Sequence, residues 1–179
     1  FYTGMSRFLP PVLTKLGIAC LAFNRRGHDV ITTRNSRTAE GGAFQTTAEA
    51  IEDNRLAAQW LAAKGFPAPV VIGHSNGGML ATRHVVDHPQ TPALVLLSAG
   101  RGGRTSMQPS GDRDRVGPGE QSPEEPKDRY PAEEFQAAAG GPCEVRIVPN
   151  CDHFYNNNED VVANHVAGWL AATLKLPQS

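Results

Sequence analysis

Ten residues, "VIGHSNGGML" (Val71 to Leu80), constrain this chain more than any other stretch. The apolar run "PVVIG" (69–73) reads as a strand and "NGGMLATRHVVDH" (76–88) as a helix, so the backbone must turn from one to the other within about two residues. A structural turn of this kind needs one glycine. Here Ser75 stands between Gly73 and Gly77, and Gly78 adds room for close packing of helix on strand. In a strand–G-x-S-x-G–helix corner the serine protrudes from the carboxyl edge of the sheet, in the strained geometry of a nucleophile elbow. The amide of Asn76, at the start of the helix, is placed to donate to a developing oxyanion. The alternative is a turn that happens to carry a serine; strand and helix on the required sides favour a nucleophile.

The rest of the chain alternates in the same way. A helix is expected over 5–17, bent or restarted at Pro10 and Pro11 and stopped by Gly17, then a buried strand over 18–24 ("IACLAFN") and a polar loop. A strong helix follows over 46–65, with Ala48, Ile51, Leu56, Trp60 and Leu61 as its apolar stripe and Gly65 at its end. Further strands are expected over 93–99 ("ALVLLSA") and 143–149 ("CEVRIVP"), and helices over 131–140 and 158–175. Short continuous apolar strands alternating with helices specify an α/β fold, a mostly parallel sheet flanked by helices. At 179 residues the chain reads as a single domain over 1–179. Residues 100–130, rich in Gly, Pro and charge, are irregular and unusually long for a loop in a compact domain.

A serine hydroxyl is a poor nucleophile until a base takes its proton and an acid orients that base. Of six histidines, His84 and His88 lie on a helix running away from the corner, and His165 reads as a core or boundary residue among Val162, Val166 and Trp169. His74 reads as packing support behind the elbow, and His28 as shaping the loop "RRGHD". His153, in "PNCDHFYNNNED" between the strand at 143–149 and the last helix, falls on the same sheet edge as Ser75 and is the expected base. For the acid, the loop after "ALVLLSA" offers no carboxylate. Asp114 in "SGDRDRVGPGEQS" is the first choice, with Asp112 in reserve and Glu120 also in that loop.

Composition narrows the partners. A hydrophobic content of 40%, a charged content of 20% and a net charge of −1 give no electrostatic basis for binding nucleic acid or an anionic membrane. No apolar run approaches the ~20 residues that span a bilayer, and no signal-like leader opens the chain. Cys20, Cys143 and Cys151 match no zinc pattern, and an odd count beside apolar runs reads as buried free thiols in a reducing compartment. The expectation is a cytoplasmic protein with no metal site.

With Ser75, Asp114 and His153 in that order, the sequence resembles the α/β-hydrolase superfamily. "GHSNGG" matches its elbow, "GDRDRVGPGEQS" its acid loop and "DHFY" its histidine loop. "FNRRGHDV" is similar to its D-x-R-G-H-G loop, with Asn24 for the usual Asp and Asp29 for the Gly. The resemblance implies a Ser75–Asp114–His153 triad, no cofactor, and hydrolysis through an acyl-enzyme. The family has strands ahead of this region, the last ending in a His-Gly motif that supplies a second oxyanion donor. Phe1 or Tyr2 would take that position here. Between "ALVLLSAG" and "GDRD" stand ten residues, mostly polar, where the family has a cap and a crossover, so the expectation is either a fragment of a larger hydrolase, without its first strands and cap, or a native minimal, uncapped sheet, with the fragment favoured.

Phe1, Tyr2, Met79, Phe154 and Tyr155 are candidate walls of the acyl site. A small or medium carboxylic ester is the expected substrate, a small molecule; nothing in the sequence sets the oligomeric state. A thioesterase, lactonase or carbon–carbon bond hydrolase would use the same triad. A non-catalytic binding protein on this scaffold is the alternative of a different class; three intact residue types argue against it, and the missing second oxyanion strand argues for it.

Overall fold

The computed structural model describes residues 4–25, 46–99 and 129–177. Its centre is a parallel pair of strands, β1 (Val71–His74) and β2 (Leu94–Leu97), aligned Val71 to Leu94 through His74 to Leu97. Parallel strands need a crossover, and helix α3 (Asn76–Asp87) supplies it. It packs along both strands. Period-two alternation divides the side chains of β2. Val95 and Leu97 join a core with Leu9 and Leu13 of α1 (Met5–Leu13) and Val162, Ala163, Val166, Ala167 and Leu170 of α5 (Glu159–Thr173). Leu96 faces α3, whose Leu80 and Ala81 are buried. Helices thus cover both faces of a parallel sheet, as the alternating sequence requires.

The helices lie close to where the sequence puts them. Pro10 and Pro11 sit inside α1, which passes into a 3-10 turn (Thr14–Leu16) and stops at Gly17. Helix α2 (Thr47–Ala63) opens with a capping box: Thr46 Oγ1 accepts from the Glu49 amide, and Glu49 Oε2 accepts from the Thr46 amide. Helix α4 (Arg129–Ala138) begins two residues ahead of Pro131, which still falls in the first turn, where no backbone donor is required.

The strands at 18–24 and 143–149 are not formed. Residues 18–25 and 142–148 have no ladder partner, and Leu21, Phe23 and Ile147 are exposed. An apolar run specifies burial, but a strand also needs a neighbour's backbone groups. Among the described residues the ladder consists of β1 and β2. Only Ile18 and Val148 of these runs rest against the core. The stripe on α2 is only partly covered: Ile51 and Leu61 are half-buried, but Leu56 and Trp60 are exposed and, with Leu21 and Phe23, line an open groove of about 310 Å³. His165 is exposed, not a core residue, because the buried face of α5 runs through Val162, Ala163, Val166, Ala167 and Leu170. The thiols are not buried either; Cys20 and Cys143 are exposed and Cys151 is intermediate. No described helix is long and apolar enough to cross a membrane.

Candidate active site

The corner has the geometry its sequence demands. Ser75 joins β1 to α3 at φ 54°, ψ −124°, a region that side chains other than hydrogen avoid. Two hydrogen bonds hold it there: its amide donates to Leu97 O at 2.9 Å, and its carbonyl accepts from the Gly78 amide at 2.9 Å. The glycines divide their work differently from the motif's symmetry. A Cβ on Gly73 would lie 2.4 Å from Gly77 O, and one on Gly78 would lie 2.4 Å from the Ala99 Cβ. A Cβ on Gly77 would meet no described atom within 4 Å. Gly73 and Gly78 therefore let strand and helix approach, and Gly77 contributes its carbonyl to that contact. As the first residue of α3, Asn76 carries an amide with no intrahelical acceptor.

The loop carrying His153 is brought to this corner through His74. The side chain of His74 donates from Nε2 to His153 O at 2.7 Å, which fixes a proton on Nε2. Its ring lies 4.8 Å from that of His153, 5.8 Å from Phe154 and 5.9 Å from Tyr155, centroid to centroid. The His153 ring meets Phe154 edge-on at 5.1 Å. No hydrogen bond joins the Ser75 hydroxyl to the His153 ring; the two residues are linked through the side chain of His74 and the backbone of His153.

A second contact pins the same loop. Ser98, just past β2, donates from Oγ to Tyr155 Oη at 2.7 Å. Burial pushes the Tyr155 hydroxyl above the ordinary tyrosine value, and the Ser98 hydrogen bond partly opposes that. Within the loop, Asp152 accepts from the Asn156 amide, the Asn156 side chain and the Phe154 amide. Those hydrogen bonds, Asn156's first, hold its carboxyl below the usual carboxylate range. Cys151 is pushed up, chiefly by burial. Phe154 stands 58% exposed beside the two histidine rings, while Met79 is half-buried on α3, one turn past Ser75.

Asp114, Asp112, Glu120, Phe1, Tyr2 and His28 lie outside the described residues. Among the described ones, no group of three or more His, Cys, Asp or Glu side chains is arranged to hold a metal ion. Sequence reasoning missed two participants. His74 was expected to give packing alone, and Ser98 had no expected role. Their partners lie 79 and 57 residues away, beyond any local pattern.

A parallel sheet with helices on both faces and a strained serine at the strand–helix corner is the architecture of an α/β enzyme. The α/β hydrolase fold pattern matches residues 2–140, and the chain belongs to that family. Ser75 and Asp114 fall within the matched segment, and His153 lies past its end. Neither the curated proteins nor the solved structures yield a match to this chain.

Proposed function

We propose that the protein is a cytoplasmic serine hydrolase that cleaves a small or medium carboxylic ester through an acyl-enzyme. The observation that carries this reading is the Ser75 backbone at φ 54°, ψ −124° in the sharp turn from β1 to α3, in a chain of the hydrolase family. Ser75 Oγ attacks the acyl carbonyl, and its proton passes to His153, which Asp114 holds in the useful tautomer. The oxyanion is met by the amide of Asn76 and that of Phe1 or Tyr2, each worth ~3 kcal/mol of barrier. His153 returns the proton to the leaving alkoxide. Water then attacks the acyl-enzyme with His153 again as base, releasing the acid and regenerating Ser75. The exposed ring of Phe154, with Met79 and Tyr155, supplies apolar surface for the acyl chain.

Labelling with a fluorophosphonate, mapped by mass spectrometry, tests this directly. The serine oxygen–phosphorus bond forms, the phosphorus–fluorine bond breaks, fluoride leaves, and the hydroxyl proton passes to His153. Modification is expected at Ser75 and is expected to vanish in Ser75→Ala and His153→Ala. Asp114→Asn should lose most of it; loss in Asp112→Asn instead would move the acid to Asp112. Folded wild-type protein that takes up no label would reject the hydrolase and favour a binding role on the same scaffold.

A further inference from the structure

The two contacts that reach the His153 loop close a ring. From Ser75 the path runs through its amide to Leu97 O at 2.9 Å, along the chain to Ser98, and through Oγ to Tyr155 Oη at 2.7 Å. It continues along the backbone through Phe154 to His153, whose carbonyl accepts from His74 Nε2 at 2.7 Å, and His74 is bonded to Ser75. Three hydrogen bonds and ordinary peptide links thus tie the proposed nucleophile and base into one circuit. Three residues in that circuit hold positive φ without being glycine: Ser75 at 54°, Ser98 at 44° and Tyr155 at 63°. A serine or tyrosine in that region costs of order 1–3 kcal/mol and persists only where its surroundings over-determine it. Here the surroundings are the circuit itself. Tyr155 Oη accepts from Ser98 Oγ, so the oxygen of a half-buried tyrosine is held by the protein.

We infer that His74 and the Ser98–Tyr155 pair are positioning residues that set His153 against Ser75 by two independent tethers. This rests on the hydrolase reading above. His74 holds the base by its backbone, from the residue next to the nucleophile. The Ser98–Tyr155 pair holds it from the neighbouring strand, two residues further along the loop. Either tether alone leaves the loop a hinge about the other. Loss of both frees the base from the nucleophile, and misplacement by about 1 Å costs on the order of 100-fold in rate.

The test uses fluorophosphonate inactivation, with the maximal rate separated from the probe's half-saturating concentration. His74→Phe keeps an aromatic ring and removes the donor; Tyr155→Phe removes one oxygen; Ser98→Ala removes the same bond from its other end. Each single change should slow the maximal rate by about tenfold or less. Combining His74→Phe with Tyr155→Phe should slow it about 100-fold, with half-saturation unchanged. Ser98→Ala combined with Tyr155→Phe should be no worse than either alone, since both delete one bond. His74→Gln, which keeps an N–H donor on a neutral side chain, should recover most of the rate lost in His74→Phe. Weaker half-saturation with an unchanged rate in Tyr155→Phe would make that hydroxyl a ligand contact and overturn its positioning role. Wild-type rates in the combined variant would overturn the tethers while leaving the hydrolase intact. Wild-type protein that takes no label at all removes the hydrolase and this inference with it.

Discussion

Ser75 keeps a backbone conformation that glycine would adopt without strain, and at this position that is a stability cost borne for the side chain. Ser75→Gly should therefore raise the unfolding free energy, by about 1 kcal/mol or more, while removing the proposed nucleophile; Ser75→Ala should remove it with no such gain. A lower midpoint for the glycine variant would mean the corner is not strained. The neighbouring glycines give a sharper contrast. Gly73→Ala drives a methyl into Gly77 O and the Ala81 Cβ, and should cost roughly 1–3 kcal/mol in urea denaturation. Gly77→Ala meets open space inside a helix and should be neutral or stabilising by up to about 1 kcal/mol. Equal losses in both would contradict the packing described. The turn at the corner was legible in the sequence because it is local: five consecutive residues state the strand-to-helix turn and carry the proposed nucleophile and its proposed oxyanion donor. His74 and Ser98 were not, because a hydrogen bond across the sheet edge leaves no mark in the spacing of neighbours.

At the scale of elements, helices were legible and strands only partly so. A helix satisfies its own backbone, so the α2 pattern and its capping residues suffice to place it. The runs at 18–24 and 143–149 had the composition of strands, but a ladder needs a partner that no apolar pattern specifies. Element α3 carries a prediction of its own. His84 is buried on it, and its ring stacks on His88 at 4.1 Å and 14°. His88 Nδ1 donates to His84 O at 2.9 Å near the helix end. Burial lowers the His84 pKa first and the His88 charge second, with Asp87 opposing. A histidine whose folded value is depressed takes up its proton more readily in the unfolded chain. Stability is then fully present above the ordinary histidine value of about 6.5 and falls as the pH drops from there to the folded value. Urea midpoints taken from pH 8 to pH 5 should show that decline in wild type and a weaker one in His84→Leu. Identical profiles would mean that His84 is not the group responsible.

Across the whole molecule, burial is uneven, and the unevenness decides where stability resides. Leu170 is 1% exposed and anchors the core shared by α1, β2 and α5. Leu56, on the apolar stripe the sequence assigns to α2, is 45% exposed in the groove with Leu21, Phe23 and Trp60. The sequence marks a helix at α2 and at α5 alike; it could not say which of them the sheet would cover, because that depends on strand pairing. In this architecture the answer follows from β2, whose Val95 and Leu97 turn toward α1 and α5. Leu170→Ala should accordingly cost about 2–5 kcal/mol, the loss expected when a filled core position is emptied. Leu56→Gln, a change between residues of similar helix propensity at an exposed site, should stay within about 0.5 kcal/mol. Chemical denaturation of the two variants beside wild type compares them in one experiment. A loss at Leu56 matching that at Leu170 would show the α2 stripe buried in solution, and would make the groove part of the core and not of the surface.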